Sequence, residues 1–232
     1  MKLSRSIVLT VLLGAIAGPT PGHPEPGRPD LELCIQNLDA GTLDRLDLGN
    51  PLLYGLGSED APVVMLEFSD YRCAHCAIFH EIVLPKIKRD YIDTGRLYYV
   101  ALHYPSRSYP IAALAAEAAY CAGLQGRFWE MRDRLFVESL YLDESTLTDL
   151  ATQLRLDPDA FNGCLEEERF ADLVSAEKRC GQNMGVKVTP SFVLAVRDGR
   201  YAIDGKVVKG LPKRSKLSQE IEEALALAGK AR

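Results

Sequence analysis

The chain lacks any apolar run long enough to cross a bilayer as a helix. The longest, Ile7 to Ala17, has 11 residues, against the roughly 20 that a spanning helix needs. It also lacks a basic cluster: 27 Lys and Arg stand against 32 Asp and Glu, a formal net charge of −5. Such a balance makes nucleic acid and anionic membrane surfaces poor partners. No cysteine closely follows the apolar run, which argues against a lipid anchor there. No internal repeat is present. There is no second CxxC, so the one at Cys73 and Cys76 has no matching half to complete a zinc site. What remains is ordinary for a globular chain that can bury a full core: 47% hydrophobic and 25% charged over 232 residues.

The N-terminus reads as an export signal. Lys2 and Arg5 precede the apolar run, and Ala15-Ile16-Ala17 offers small residues at the cleavage positions. A membrane anchor or a plain N-terminal helix is the alternative. Cleavage would take the net charge from −5 to −7 by removing Lys2 and Arg5. Export would place the protein in a periplasmic or secreted setting, where disulfides persist, and all six cysteines lie beyond the signal. Residues 18–30 hold five prolines and three glycines, a disordered leader. Leu31 to Leu48 is mixed and reads as helical.

Val63 to Phe68 is a nearly continuous apolar run of strand length, as a buried central strand requires. Cys76, Phe79, Val83 and Ile87 then recur at helical spacing, with Pro85 set to kink the helix. Leu97 to Leu102 reads as a second central strand. From Tyr109 to Gly185 the pattern is helical. Asp143 and the Asp157-Pro158 pair mark helix starts, and a long helix runs from about Glu168 to Asn183. Strand patterns return at Ser191 to Val196. Asp198-Gly199 and Asp204-Gly205 are turn signals, Val207-Val208 a short strand, and Leu217 to Ala228 a last amphipathic helix.

Cys73-Ala74-His75-Cys76 joins a strand to a helix. The first cysteine meets the free N–H groups and positive dipole end of the helix, which favour a thiolate, and the thiolate is the nucleophile of disulfide exchange. A protonated His75 would add to that effect. Stabilising the reduced form makes the disulfide a stronger oxidant. A purely structural disulfide is disfavoured, because so short a loop constrains little of the unfolded chain. Val188-Thr189-Pro190 stands directly before a strand, where the residues alone point to an ordinary trans proline. Phe128, Trp129 and Phe136 read as core. His103, at a strand end, has no obvious partner.

The segment Glu67-Phe68-Ser69-Asp70-Tyr71-Arg72-Cys73-Ala74-His75-Cys76 resembles the active-site segment of the DsbA-like branch of the thioredoxin superfamily. Ala118 to Gly123, Gly126 to Glu130 and Gly185 to Phe192 match further patterns of that family, in order, and the resemblance spans about Pro51 to Leu227. It implies an α/β thioredoxin fold, a central mixed sheet flanked by helices, with an inserted all-helical subdomain. The chain then divides into a signal (1–17), a leader and N-terminal segment (18–47), a first thioredoxin-like part (48–108), the insertion (109–185) and a second thioredoxin-like part (186–232). The resemblance also implies a cis Thr189-Pro190 bond beside the cysteines, with Val188, Thr189 and Pro190 forming an edge for extended substrate. It implies that Glu67 is a buried acid assisting proton transfer at Cys76. Ala74 and Thr189 depart from the best-known member, at positions that tune potential and affinity.

The four other cysteines allow three pairings. If residues 164–180 are mostly one helix, Cys164 and Cys180 lie about 24 Å apart along its axis, too far to bond. Cys121 and Cys164 sit in elements that should pack together and match recurrent cysteines of the family, so they are the expected pair; the pairing of Cys34 and Cys180 stays open, because nothing in the sequence fixes the path of the N-terminal segment. The function implied is oxidation of exported client proteins with free thiols, followed by reoxidation by a membrane-bound redox partner. No cofactor, metal or nucleic acid is called for, and a monomer suffices. An isomerase or reductase is the alternative, although the chain before the first strand is too short for the usual dimerisation domain. A redox-inert chaperone or metal carrier is a third class.

Overall fold

The computed structural model describes residues 34–35, 45–48, 52–199 and 201–230. The signal and the leader expected at residues 1–30 lie outside them. Three short strands come first: β1 (Cys34–Ile35), β2 (Arg45–Asp47) and β3 (Tyr54–Leu56). The described residues 34–35 and 45–47 are therefore extended, not helical as their composition suggested. The reason is tertiary: β2 pairs with a neighbouring strand at the sheet margin, Leu46 opposite Ala202.

β4 (Val63–Ser69) and β5 (Leu97–His103) form the centre, and every residue of both is buried. They run parallel, Val63 opposite Leu97 through Ser69 opposite His103. Elements cover both faces, so these strands read as continuous apolar runs. The helical crossover between them starts as α1 (Ala74–Ile78) and α2 (Leu84–Ile87), each followed by a π-helical turn, Phe79–Val83 and Lys88–Ile92. A simple kink at Pro85 was expected; wide turns take its place. Phe79, Val83, Ile87 and Tyr91 are all buried at intervals of four. In a straight α-helix each such step drifts about 40° around the axis, and i→i+5 turns hold the row on the core face. Pro85, which has no N–H to give, lies two residues past the first wide turn.

Five helices follow β5: α3 (Pro110–Gly123), α4 (Phe128–Val137), α5 (Glu144–Gln153), α6 (Pro158–Glu166) and α7 (Ala171–Asn183). Asp143 Oδ1 accepts from the Thr146 amide at 2.8 Å and Asp157 Oδ1 from the Ala160 amide at 2.9 Å, so both caps form. Gly185 takes φ +78° just past α7. Residues 164–180 are not one helix: Glu168 adopts φ +49° between α6 and α7. Cys121 and Cys164 are disulfide-bonded with Cα atoms 5.9 Å apart, tying α3 to α6. Cys180 is disulfide-bonded as well, while the side chain of Cys34 lies outside the described part.

The chain returns to the sheet with β6 (Ser191–Asp198) and β7 (Tyr201–Lys209), and ends in α8 (Arg214–Lys230). Among the described residues the sheet order is β1-β2-β7-β6-β4-β5-β3. Asp198-Gly199 does form the β6–β7 turn, with Gly199 at φ +58°. Asp204-Gly205 does not turn; it lies inside β7, which also absorbs Val207-Val208. A Cβ on Gly205 would meet Val193 Cγ1 at 2.6 Å, and the pairing shifts register between Leu194 and Val196. The glycine admits a close strand approach at an irregularity.

Candidate active site

β4 delivers its C-terminal end to the loop before α1. Asp70 fastens that loop: Oδ1 accepts from the Arg72 amide at 2.7 Å, and Oδ2 from the Ser106 amide, in the loop after β5, at 2.8 Å. Cys73 is the extended residue before α1, at φ −92° and ψ 112°, so its sulfur meets the free amides of the first turn. It is half-buried, and Cys76, one turn in, is fully buried. Both are free thiols.

The two thiols are driven apart in acidity. Cys73 is lowered to about 5, first by the hydrogen bond from the Cys76 thiol, against the opposing effect of burial; Thr189 and the backbone N–H groups of Cys76 and His75 add to the lowering. As a thiol, Cys73 Sγ lies 3.4 Å from the Thr189 carbonyl and donates to it; as a thiolate it has only acceptor capacity, and the donors around it take over. Cys76 is pushed up, first by burial, then by the hydrogen bond it gives to Cys73 and by the negative charges of Cys73 and Glu67. His75 is exposed. Its backbone N–H is among the groups that lower Cys73.

The Thr189-Pro190 peptide bond is cis, and the Thr189 carbonyl lies against Cys73. Pro190 is buried, and Val188 is 50% exposed beside it. Beside α1, Ala74, Ala77, Ile78, Phe136, Val137 and Leu140 line a groove of about 640 Å³, with Glu81 and Asp133 also in its lining. Ile78, Val137 and Leu140 are large apolar residues left exposed there. His80, next along the helix, pairs with Asp133 at 3.0 Å. Among the described residues no group of three or more His, Cys, Asp or Glu is arranged to hold a metal.

Glu67 is buried but not alone. Its Oε2 lies 2.8 Å from Arg132 Nη2 and also accepts from the Tyr99 hydroxyl, while Oε1 has no partner among the described residues. Arg132, on α4, is itself fully buried and reaches the Tyr99 hydroxyl at 2.7 Å. A second buried cluster adjoins it. Glu177 on α7 accepts from the His103 amide at 3.0 Å and from His103 Nδ1 at 2.8 Å, and Tyr120 donates to its other oxygen. His103 Nε2 is 3.1 Å from the Tyr71 hydroxyl. His103 therefore has partners, contrary to the sequence reading; both come from afar in the chain. Arg132, Tyr71, Tyr99, Tyr120 and Glu177 were not singled out from sequence. One signal was available for Arg132: it stands four residues after Phe128, inside the apolar stripe of Phe128, Met131 and Leu135, where a charge needs a buried partner.

The arrangement is a nucleophilic thiol held toward its ionised form, a buried second thiol in reach, and an open edge and groove nearby. The profile of the family described as Thioredoxin matches residues 51–223. Disulfide bond formation protein D of Bacillus subtilis is 29% identical over 188 residues, covering 76% of this chain and 80% of that protein. The crystal structure of oxidised BdbD from Bacillus subtilis superposes with a TM-score of 0.65 at 26% identity, covering 75% of this chain and 94% of that one. Alpha-DsbA1 of Wolbachia pipientis gives a TM-score of 0.65 at 27% identity, covering 76% and 92%. The chain belongs to the thioredoxin family, as a DsbA-like thiol-disulfide oxidoreductase.

Proposed function

We propose that the protein is an exported oxidase that introduces disulfides into exported client proteins through Cys73 and Cys76. The observation that carries this reading is the Cys73 thiol lowered to about 5. A stabilised thiolate favours the reduced pair over the disulfide, and so makes the disulfide oxidising. In the proposed cycle a client thiolate attacks Cys73 Sγ, the Cys73–Cys76 bond breaks, and Cys76 leaves and takes up a proton. A second client thiolate then attacks the client sulfur of the mixed disulfide and releases Cys73 as a thiolate. The client loses two electrons and two protons; the pair gains the electrons, one proton rests on Cys76 and one passes to solvent.

The other roles follow from position. Val188, Thr189 and Pro190 supply the edge along which an extended client lies, and the apolar groove beside Ala74 takes apolar client side chains. Glu67, held by Arg132, acts on Cys76 through its charge. The basic and apolar N-terminal pattern supports export to a periplasmic or extracellular site, and among the described residues no helix is long and apolar enough to cross a membrane. A membrane-bound partner reoxidises the pair. The helices of 109–185 form a subdomain inserted into the thioredoxin-like parts 48–108 and 186–232.

The test is catalysis of disulfide formation in a reduced, unfolded client by the oxidised protein, beside repair of a scrambled client by the reduced protein. Faster oxidation with little repair is the expected outcome. Efficient repair with no oxidation would assign the isomerase or reductase role instead. The Cys76→Ser variant should trap mixed disulfides with clients, and Cys73→Ser should not.

A further inference from the structure

Cys73 has two unlike grooves nearby. The groove beside α1 is mainly apolar. A separate groove of about 400 Å³ is lined by Asp70, Arg107, Lys178, Gln182, Lys187 and Thr189, among others. One of its lining residues reaches the reacting sulfur: the carbonyl of Thr189 is 3.4 Å from Cys73 Sγ.

This groove carries an excess of positive charge, Arg107, Lys178 and Lys187 against Asp70. Arg107 and Lys187 are exposed, and neither makes an ion pair or hydrogen bond among the described residues. Lys178 is fixed in place, its Nζ donating to the Pro105 carbonyl at 2.6 Å and standing 5.7 Å from the centre of the Tyr104 ring. Asp70 is the one acid of the lining, and both its oxygens already accept backbone amides. The adjoining groove between α3 and α7 shares Arg107 and Lys178 and adds Arg179. Its only acid among the described residues, Glu117, is buried with Oε2 unpartnered among them, and its carboxyl is pushed up to about 7 by burial and then by Glu168, toward the neutral form. All this stands on a chain of net charge −5, so the patch is a local reversal of the overall field. Clefts lined by one sign of charge focus that field onto the ligand.

We propose that this basic groove selects client segments that carry aspartate or glutamate next to the reacting cysteine. The proposal rests on the oxidoreductase reading above and names the class of client that it favours. A client lying along the Thr189 edge would place acidic side chains toward Arg107 and Lys187 and apolar ones toward Ile78 and Leu140. The two grooves together would fix its direction.

The experiment uses single-cysteine peptides identical except for flanking Asp, Asn or Lys. The rate at which each attacks the Cys73–Cys76 disulfide of the full-length protein is measured, referred to the thiolate fraction of each peptide. At low salt the Asp peptide should react roughly tenfold faster than the Lys peptide, with the Asn peptide between, and high salt should bring the ratio toward one. In the Arg107→Glu/Lys187→Glu variant the ratio should fall below one. Equal rates at low salt, or a preference that survives the charge reversal, would overturn the proposal. If no peptide reacts, the oxidoreductase reading fails, and alkylation of reduced Cys73 decides the groove by itself. The rate with anionic iodoacetate relative to neutral iodoacetamide should then drop several-fold in the variant; an unchanged ratio overturns the groove.

Discussion

Replacing Arg132 with methionine removes one partner of an ion pair in which both side chains are fully buried, 2.8 Å apart. Glu67 would keep the Tyr99 hydroxyl and lose its counter-charge. Breaking a buried pair from one side costs about 3–5 kcal/mol, because the remaining charge is stranded in low dielectric. For a domain of this size that corresponds to a fall of roughly 6–20 °C in Tm. The stranded charge, more than the lost contact, carries the cost, so a second change should restore most of it. Glu67→Gln combined with Arg132→Met removes both charges, keeps an acceptor for Tyr99, and should return stability to within about 1–2 kcal/mol of the parent. Urea unfolding of the parent, both single variants and the double variant completes the cycle. An Arg132→Met cost below about 1 kcal/mol, or a double variant as unstable as the two singles added together, would refute the view that compensation by Arg132 is what lets Glu67 stay buried.

Alkylation of Cys73 in the reduced protein should follow a titration with a midpoint near 5, read from rate against pH; a midpoint near the free value of about 8.5 refutes it. The folded value is depressed, so the reduced protein gains stability from this group that is fully present above about 8.5 and is lost as pH falls toward 5; denaturation of the reduced and oxidised forms across that window should show it. His75→Ser should leave the Cys73 midpoint nearly in place, since the backbone N–H persists; a clear rise would return the effect to the imidazole ring. Cys121→Ser should lower stability by about 2–4 kcal/mol in chemical unfolding, and an unchanged midpoint would count against the α3–α6 bond.

The parts legible in the sequence were those specified locally. β4 and β5 announce themselves because burial on both faces demands unbroken apolar runs, and Asp143 and Asp157-Pro158 mark helix starts because a cap acts on its own first turn. Cys73 and Cys76 are legible for the same reason: strand, loop and helix start are contiguous. The wide turns after α1 were encoded in the intervals of four from Phe79 to Tyr91, a pattern close enough to an α-helix to pass for one. β1 and β2 were not legible, being too short to show a period. The buried polar pairs were hidden by distance along the chain: Glu67 and Arg132 are 65 residues apart, His103 and Glu177 are 74. Each reads alone as an isolated polar residue in an apolar setting, and only the packing of the inserted helices against β4 and β5 joins them.

The claim that Cys73 and Cys76 form an oxidising pair is tested most directly by its reduction potential, measured by equilibrating the full-length protein with glutathione buffers. A thiolate held at about 5 predicts a potential above about −200 mV, in the range of disulfide-donating members of the superfamily. A value below that, toward the roughly −270 mV of a reducing thioredoxin, would contradict it.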